Sequence, residues 1–595
     1  MGIGKGGKQR VVIIGAGIGG VATAARLAKA GLEVIVVEKN DYSGGRCSLL
    51  HGEGGYRFDQ GPSFYLMPEI FEETFEDLDE SIPDWYTLKK CEPNYVVHYH
   101  DGEIVTLSTD MVQMKQEVEK WEGKDGWARF LDFMNESHIH YEVSVKEVLH
   151  RNFPTIWSIM KLPYVIMAEK LHVFDGLYRR AANHFWSERL RRAFTFSSMY
   201  LGMSPYDSPA TYNLLQYTEL AQGIWYPIGG YHKVVESLEK IAIKNGATFR
   251  YSTPVKSIKQ STDGKHADGI TLESGEHIDA DLVVCNADLL WAYENLLPST
   301  PYSRSLLRNP KLTCSSISFY WGLKRKVPGL ETHNIFLAEA YKESFDTIFD
   351  DHGLPEEPSF YVNVPSRVDS TAAPEGKDTM VILVPVGHLL DNKASESINI
   401  EKSNGIQHKS QDWPSIIARA RKQVVGKLTE RLGSELQLGP GEDFESLIAT
   451  ELVNTPLTWR DNLNLHKGSI LGLSHNILQV LCLRPRLIHD TLKQLYFVGA
   501  STHPGTGVPV VVCGAKLTSE QILNDLHMRI PWKLSGSPAA SQVSKTEPLN
   551  LVKRPVTYWY EVFITTMLLP IIATVFVIRM IFKLDMPNYY AKYYE

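Results

Sequence analysis

Three glycines, Gly15, Gly17 and Gly20, stand in the spacing G-x-G-x-x-G directly after the branched apolar run at residues 11–14. They act by what they lack. A side chain is missing where the chain must turn tightly (Gly15), where backbone must approach a pyrophosphate (Gly17) and where a helix must pack closely on a strand (Gly20). Amides at the start of the following helix then meet the phosphate charge. Residues 21–30 read as that helix, Gly31 ends it, residues 33–37 supply a second strand, and Glu38 stands eighteen positions beyond Gly20. A carboxylate there accepts hydrogen bonds from both ribose hydroxyls and repels a 2'-phosphate, so FAD or NAD fits and NADP does not.

A second glycine-rich turn lies far along the chain. Residues 495–498 form a short apolar strand, and Gly499, Gly505, Gly507 and Val508 follow, leading into a helix of small residues. A flavin ring must lie against close backbone, and amides at a helix start stabilise the negative charge of the reduced ring. His503, inside this turn, is the one candidate general base, since neutral imidazole carries protons near pH 7. Wedged before Pro504, it reads better as a brace that orients backbone around the flavin. The sequence offers no catalytic carboxylate pair, nucleophile triad or metal cluster, which suits a site where the cofactor carries the hydride chemistry.

The stretch after Glu38, Ser43-Gly44-Gly45-Arg46, resembles the GGR loop of the amine oxidase and carotenoid desaturase flavoproteins. That resemblance implies FAD rather than NAD, with Gly45 letting backbone pass the cofactor and Arg46 adding positive charge. Tyr56-Arg57-Phe58-Asp59-Gln60-Gly61-Pro62 continues it, and the turn from Gly499 to Pro509 resembles the C-terminal signature of bacterial and fungal phytoene desaturases. Gln494 departs from the Asn that many relatives carry at that strand's entry. Residues 225–230, a helix ending at Lys244, Pro254-Val255 and residues 283–288 match a segment that the superfamily returns to the FAD domain, which places Val255 beside adenine.

The elements that must position these groups are therefore scattered. The expected fold is α/β, a discontinuous Rossmann-type FAD-binding domain with an inserted mixed α+β substrate domain and a C-terminal membrane-anchoring helix. FAD-binding parts are expected at residues 1–66, 223–310 and 481–533. Substrate parts are expected at 67–222, mainly helical, and 311–480, with strands at 315–321 and 360–364. Residues 391–412 read as an exposed polar insertion, 534–555 as a flexible linker, 556–584 as a membrane segment and 585–595 as a tail.

Composition bounds the rest. A chain of 595 residues, 43% hydrophobic and 22% charged, is globular with room for two or three domains. Its net charge of -8 lacks the basic footprint that nucleic acid requires. Six scattered cysteines form no CxxC pair, which fits a reducing compartment better than a disulfide scaffold or zinc site. Residues 562–578 are seventeen in a row without charge, between Glu561 and Arg579. With residues 580–582 they reach about 30 Å as a helix, and Tyr558-Trp559-Tyr560 and Tyr589-Tyr590 flank them like interfacial belts. A single-pass anchor with the body facing the cytosol is the expectation.

The resemblance implies a membrane-associated oxidoreductase of carotenoid biosynthesis. Its substrate would be phytoene, an apolar polyene precursor held in membrane lipid and desaturated stepwise towards lycopene or beyond, with oxygen or a quinone as terminal electron acceptor. Two alternatives share the fold: another FAD oxidoreductase, such as a retinol saturase or amine oxidase, and a non-catalytic prenyl-binding protein of the Rab escort or GDP-dissociation inhibitor type. The latter have degraded flavin motifs, whereas both glycine turns here are intact.

Overall fold

The run Val11, Val12, Ile13 and Ile14 is excluded from water almost completely, and that requires cover on both faces of its sheet. In the computed structural model the strand Arg10–Ile14 is the middle strand of five, all parallel. Its neighbours are Glu33–Val37 and Leu282–Cys285, with Thr248–Arg250 and Leu495–Phe497 at the two edges. Three well-separated stretches of sequence thus meet in one sheet. The structure describes residues 8–161, 164, 167–168, 170–390 and 411–533.

Helix Ile18–Lys29 covers one face of this sheet, and its residues from Ile18 to Ala28 are all buried. Alanine and glycine make that possible, because they let helices His232–Lys244 and Val508–Asp525 approach it closely. Gly20 shows how tight the fit is: a Cβ there would stand 2.2 Å from the Gly15 carbonyl oxygen. Each buried Val or Ile of the central strands contributes roughly 1.5–3 kcal/mol relative to exposure.

A second, seven-stranded sheet runs in the order Ile448–Asn454, Ser315–Leu323, Asp378–Val386, Phe360–Asn363, His333–Phe336, Tyr95–His98, Ile104–Leu107. It is antiparallel except where His333–Phe336 lies parallel to Tyr95–His98. Ser315–Leu323 is buried along its whole length, so both of its faces are covered. The strands expected near 315–321 and 360–364 are present. The stretch 67–222 carries helices such as Gly126–Ser144, but it also gives two strands to this sheet. Residues up to Trp532 form one compact unit.

One expectation is corrected. No helix among the described residues is long and apolar enough to cross a membrane, so the single-pass C-terminal anchor and the cytosol-facing topology built on it are withdrawn. The segment 556–584 that suggested them, the linker at 534–555, the tail at 585–595 and residues 391–410 of the polar insertion lie outside the described residues.

Candidate functional site

A cavity of about 690 Å³ begins at the carboxyl ends of the parallel strands, the crevice where open α/β sheets bind ligands. Gly15, Gly17, Glu38, Gly45, Arg46, Val255, Gly499, Gly507 and Val508 all line it. Gly20, Gly505 and His503 do not.

At the nucleotide end the backbone turns at Gly15 with φ +94°, a conformation that side chains rarely allow, while its amide donates to Val37 O at 2.8 Å. Glu38 caps the adjoining strand. Its Oε2 accepts from the Ala16 amide at 2.8 Å and its Oε1 from the Asn40 amide at 2.9 Å, which fixes the carboxylate toward the cavity. The Glu38 carbonyl receives the Thr253 amide at 2.7 Å, and this bond draws Val255 to the same end of the cavity. The Gly44 amide donates to Ala16 O at 2.8 Å, so the loop carrying Gly45 and Arg46 lies across the first turn.

Arg46 donates to Ile470 O and is half-buried in the cavity wall. Burial holds its pKa below the usual guanidinium value, and nearby Asp288 partly offsets this. Asp288 caps helix Leu289–Asn295 by accepting the Trp291 amide, and burial raises its own pKa. A half-buried guanidinium on the wall favours an anionic ligand.

The second glycine turn forms the floor. Gly507, with φ +99°, precedes helix Val508–Asp525, whose first turn faces the cavity. Two side chains that spacing did not single out brace this turn. Arg484, 2% exposed, donates to the carbonyls of Leu473, Ser474, Gln479, Ala500 and Thr502. His475 accepts the Thr506 amide at 2.9 Å, and a Cβ on Gly505 would come within 2.4 Å of its Nε2. Burial, with Arg484 adding its charge, keeps the His475 imidazole neutral. Asn286 is a third such residue: its Nδ2 donates to Gly15 O at 3.1 Å and would stand 3.0 Å from a Cβ at Gly17. It directly follows strand Leu282–Cys285, and position at a strand's carboxyl end is the signal that could have found it.

His503 stands behind the wall. Its Nε2 donates to Arg151 O at 2.7 Å, and burial lowers its pKa to about 4. Glu136, His140 and His172 bring their ligand atoms within 4.8 Å of one another. Arg180 already grips both oxygens of Glu136, and the Lys170 carbonyl takes His140 Nε2, so two of the three are committed to hydrogen bonds.

Beyond the flavin turn the wall becomes apolar, with Leu66, Val148, Leu149, Leu171, Phe196 and Leu215 among its residues. The cradle of glycines, a helix start, a carboxylate at the end of the second strand and a half-buried guanidinium together fit FAD.

A family model described as flavin containing amine oxidoreductase matches residues 18–384. The chain belongs to that family. Within it the chain stands with the phytoene desaturases. The Phycomyces blakesleeanus phytoene desaturase is 54% identical, with the match covering 88% of this chain and 86% of that protein. A zeta-carotene-forming phytoene desaturase of Myxococcus xanthus is 40% identical, covering 87% of this chain and 95% of that one. Among solved structures, an oxidoreductase from Methanosarcina mazei superposes with a TM-score of 0.54 at 16% identity, over 86% of this chain and 100% of that chain. That likeness shows the fold alone. The protein is an FAD-dependent desaturase, and the amine oxidase, retinol saturase and Rab escort alternatives are disfavoured.

Proposed function

We propose that this protein removes paired hydrogens stepwise from phytoene, building conjugation towards lycopene or more desaturated carotenes. The observation that carries this reading is the continuity of one cavity, from a nucleotide cradle at Gly15 and Glu38 to an apolar chamber at Leu149 and Leu171. An apolar polyene has no polar handle, so shape and apolar area must position it.

Bound FAD supplies the hydride acceptor. In this reading Gly15, Gly17 and the start of helix Ile18–Lys29 hold the pyrophosphate, Gly20 sets the helix against its strand, Glu38 holds a ribose and Val255 flanks the adenine. Gly45 and Arg46 accompany the rest of the chain, while Gly499, Gly505, Gly507 and Val508 shape the floor under the flavin. His475 and Arg484 keep that floor rigid, and the apolar wall excludes water from the reacting carbons. The nucleotide parts at 1–66, 223–310 and 481–533 alternate with the substrate parts at 67–222 and 311–480. Oxygen or a quinone would serve as the terminal electron acceptor.

The test is expression in a host that accumulates phytoene, followed by pigment analysis. Coloured carotenes are expected. Unchanged phytoene alongside a yellow, flavin-loaded protein would refute the substrate while leaving the flavoprotein intact.

A further inference from the structure

Three tyrosines line the cavity, Tyr200, Tyr212 and Tyr361. The Tyr212 hydroxyl is committed to His475 O at 3.2 Å. The Tyr361 hydroxyl is committed, lying 2.8 Å from Ser63 Oγ and 2.7 Å from His333 Nδ1. Tyr200 leads elsewhere. Its ring stacks on Tyr95 with centroids 6.4 Å apart. The Tyr95 hydroxyl in turn faces both the Tyr200 hydroxyl and the carboxyl of Glu219, without closing a hydrogen bond to either.

Glu219 is 1% exposed. It lies in a single π-helical turn, Thr218–Gln222, a local widening that recurs at functional sites. Gln216 Nε2 reaches its Oε2 at 3.3 Å, whereas its Oε1 has no partner, and no cation pairs with it among the described residues. Asn94 Oδ1, Tyr95 Oη and Gln216 Oε1, all close by, are also buried and unpartnered. Leaving such atoms without partners is costly, and a wall that served only as packing would be more stable with apolar residues there. The titratable groups that face Glu219 are Tyr95, on the strand Tyr95–His98, and Tyr200, on the turn Phe196–Leu201. Beyond Tyr95 lies His333, its ring 6.2 Å away, which burial keeps neutral with a pKa of about 3.

We propose that Glu219 is the terminal proton acceptor of the desaturation, reached from the cavity through the hydroxyls of Tyr200 and Tyr95. The inference rests on the desaturase reading above. One C–H bond of the substrate is lost as a hydride, its electron pair passing to the cofactor, which is thereby reduced. The neighbouring C–H bond loses a proton, and its electron pair becomes the new double bond. That proton goes to the Tyr200 oxygen as Tyr200 passes its own to Tyr95 and Tyr95 passes its own to the Glu219 carboxylate. Both tyrosines end neutral, and the carboxylic acid returns its proton to solvent between rounds. Tyr200 lies on the cavity wall; Tyr95 and Glu219 act through it.

Burial raises the Glu219 pKa to about 8, against the opposing influence of the nearby Tyr95 hydroxyl and of the hydrogen bond from Gln216. The accepting carboxylate is therefore the minor form near neutrality and becomes the major form above that value. Desaturation by the holoenzyme is expected to rise with pH up to about 8 and then level off. Glu219→Gln and Tyr200→Phe should keep bound flavin yet lose about a hundredfold in rate, and Glu219→Gln should lose the rise with pH as well.

Infrared spectroscopy of the flavin-loaded protein without substrate gives an independent readout. The wild type should show a buried carboxylic acid band that titrates near pH 8 and is missing in Glu219→Gln. Wild-type rate and pH profile in flavin-loaded Glu219→Gln, or the absence of such a band from the wild type, overturns the proposal. Should Glu219→Gln fail to fold, Tyr200→Phe keeps the ring and decides alone, an unaltered rate overturning the relay. Unchanged phytoene with the wild-type holoenzyme overturns the desaturase reading itself, a result that needs no variant to recognise.

Discussion

At the nucleotide end of the cavity, most buried polar groups are tied to backbone: Glu38 holds two amides, Asn286 donates to Gly15 O and Arg484 serves five carbonyls, with His475 Nδ1 left without a partner. At the aromatic wall, by contrast, Glu219, Tyr95 and Gln216 each keep a buried polar atom without a partner. The first region is built so that nothing moves, because a cofactor must be held in one place through every turnover. The second keeps hydrogen-bonding capacity in reserve. A proton relay needs that reserve, since each oxygen must accept one proton while giving up another.

The contrast breaks most completely at Gly17. Its Cβ position lies 3.0 Å from Asn286 Nδ2, on the wall of the cavity. Gly17→Val should abolish flavin binding, read as loss of the yellow absorbance in a chain that still folds. Retained flavin would mean that the pyrophosphate lies elsewhere.

Arg484→Met sharpens it. Removing the guanidinium leaves five carbonyls short of a donor, at roughly 1 kcal/mol or more each, so stability should fall by roughly 5 kcal/mol. Denaturant unfolding of the variant measures this, and flavin release should accompany the loss. A change below about 1 kcal/mol would show that the turn from Gly499 to Gly507 holds its shape without the brace.

The two regions also differ in how far the sequence reveals them. The nucleotide cradle was legible because its residues are local: Gly15, Gly17, Gly20 and Glu38 belong to one strand–helix–strand unit whose spacing is set by covalent geometry. The cavity gathers most of the expected residues, but Gly20 and Gly505 serve packing, against Gly15 O and His475 respectively. His503 is a chemical candidate by its type alone, and its loop already reads as that of a brace. Only the tertiary fold shows its Nε2 spent on Arg151 O. Glu219 is the reverse case. In sequence it is one glutamate among many helix-forming residues, and nothing local says that the chain will enclose it with Tyr95 and Tyr200. The membrane anchor failed for a related reason, since an uncharged run of marginal length was asked to carry a topology that no described helix supports.

The mildest test of the contrast uses stability alone and needs neither substrate nor cofactor turnover. A carboxyl whose pKa is about 8 when folded, against about 4.3 when unfolded, binds its proton more tightly in the native state. Its folding contribution is therefore fully present below the unfolded value and is lost as pH rises from there to the folded value, at about 1.4 kcal/mol per pH unit. Glutamine does not titrate, so Glu219→Gln escapes this loss. Its stability relative to the wild type should grow by roughly 2–4 kcal/mol between about pH 5 and pH 8, then stay level. Parallel denaturant titrations at the two pH values measure the difference. A constant gap would mean that Glu219 titrates as it does in the unfolded chain. The aromatic wall would then hold no carboxyl set apart by its burial, and the contrast between the two ends of the cavity would lose its strongest element.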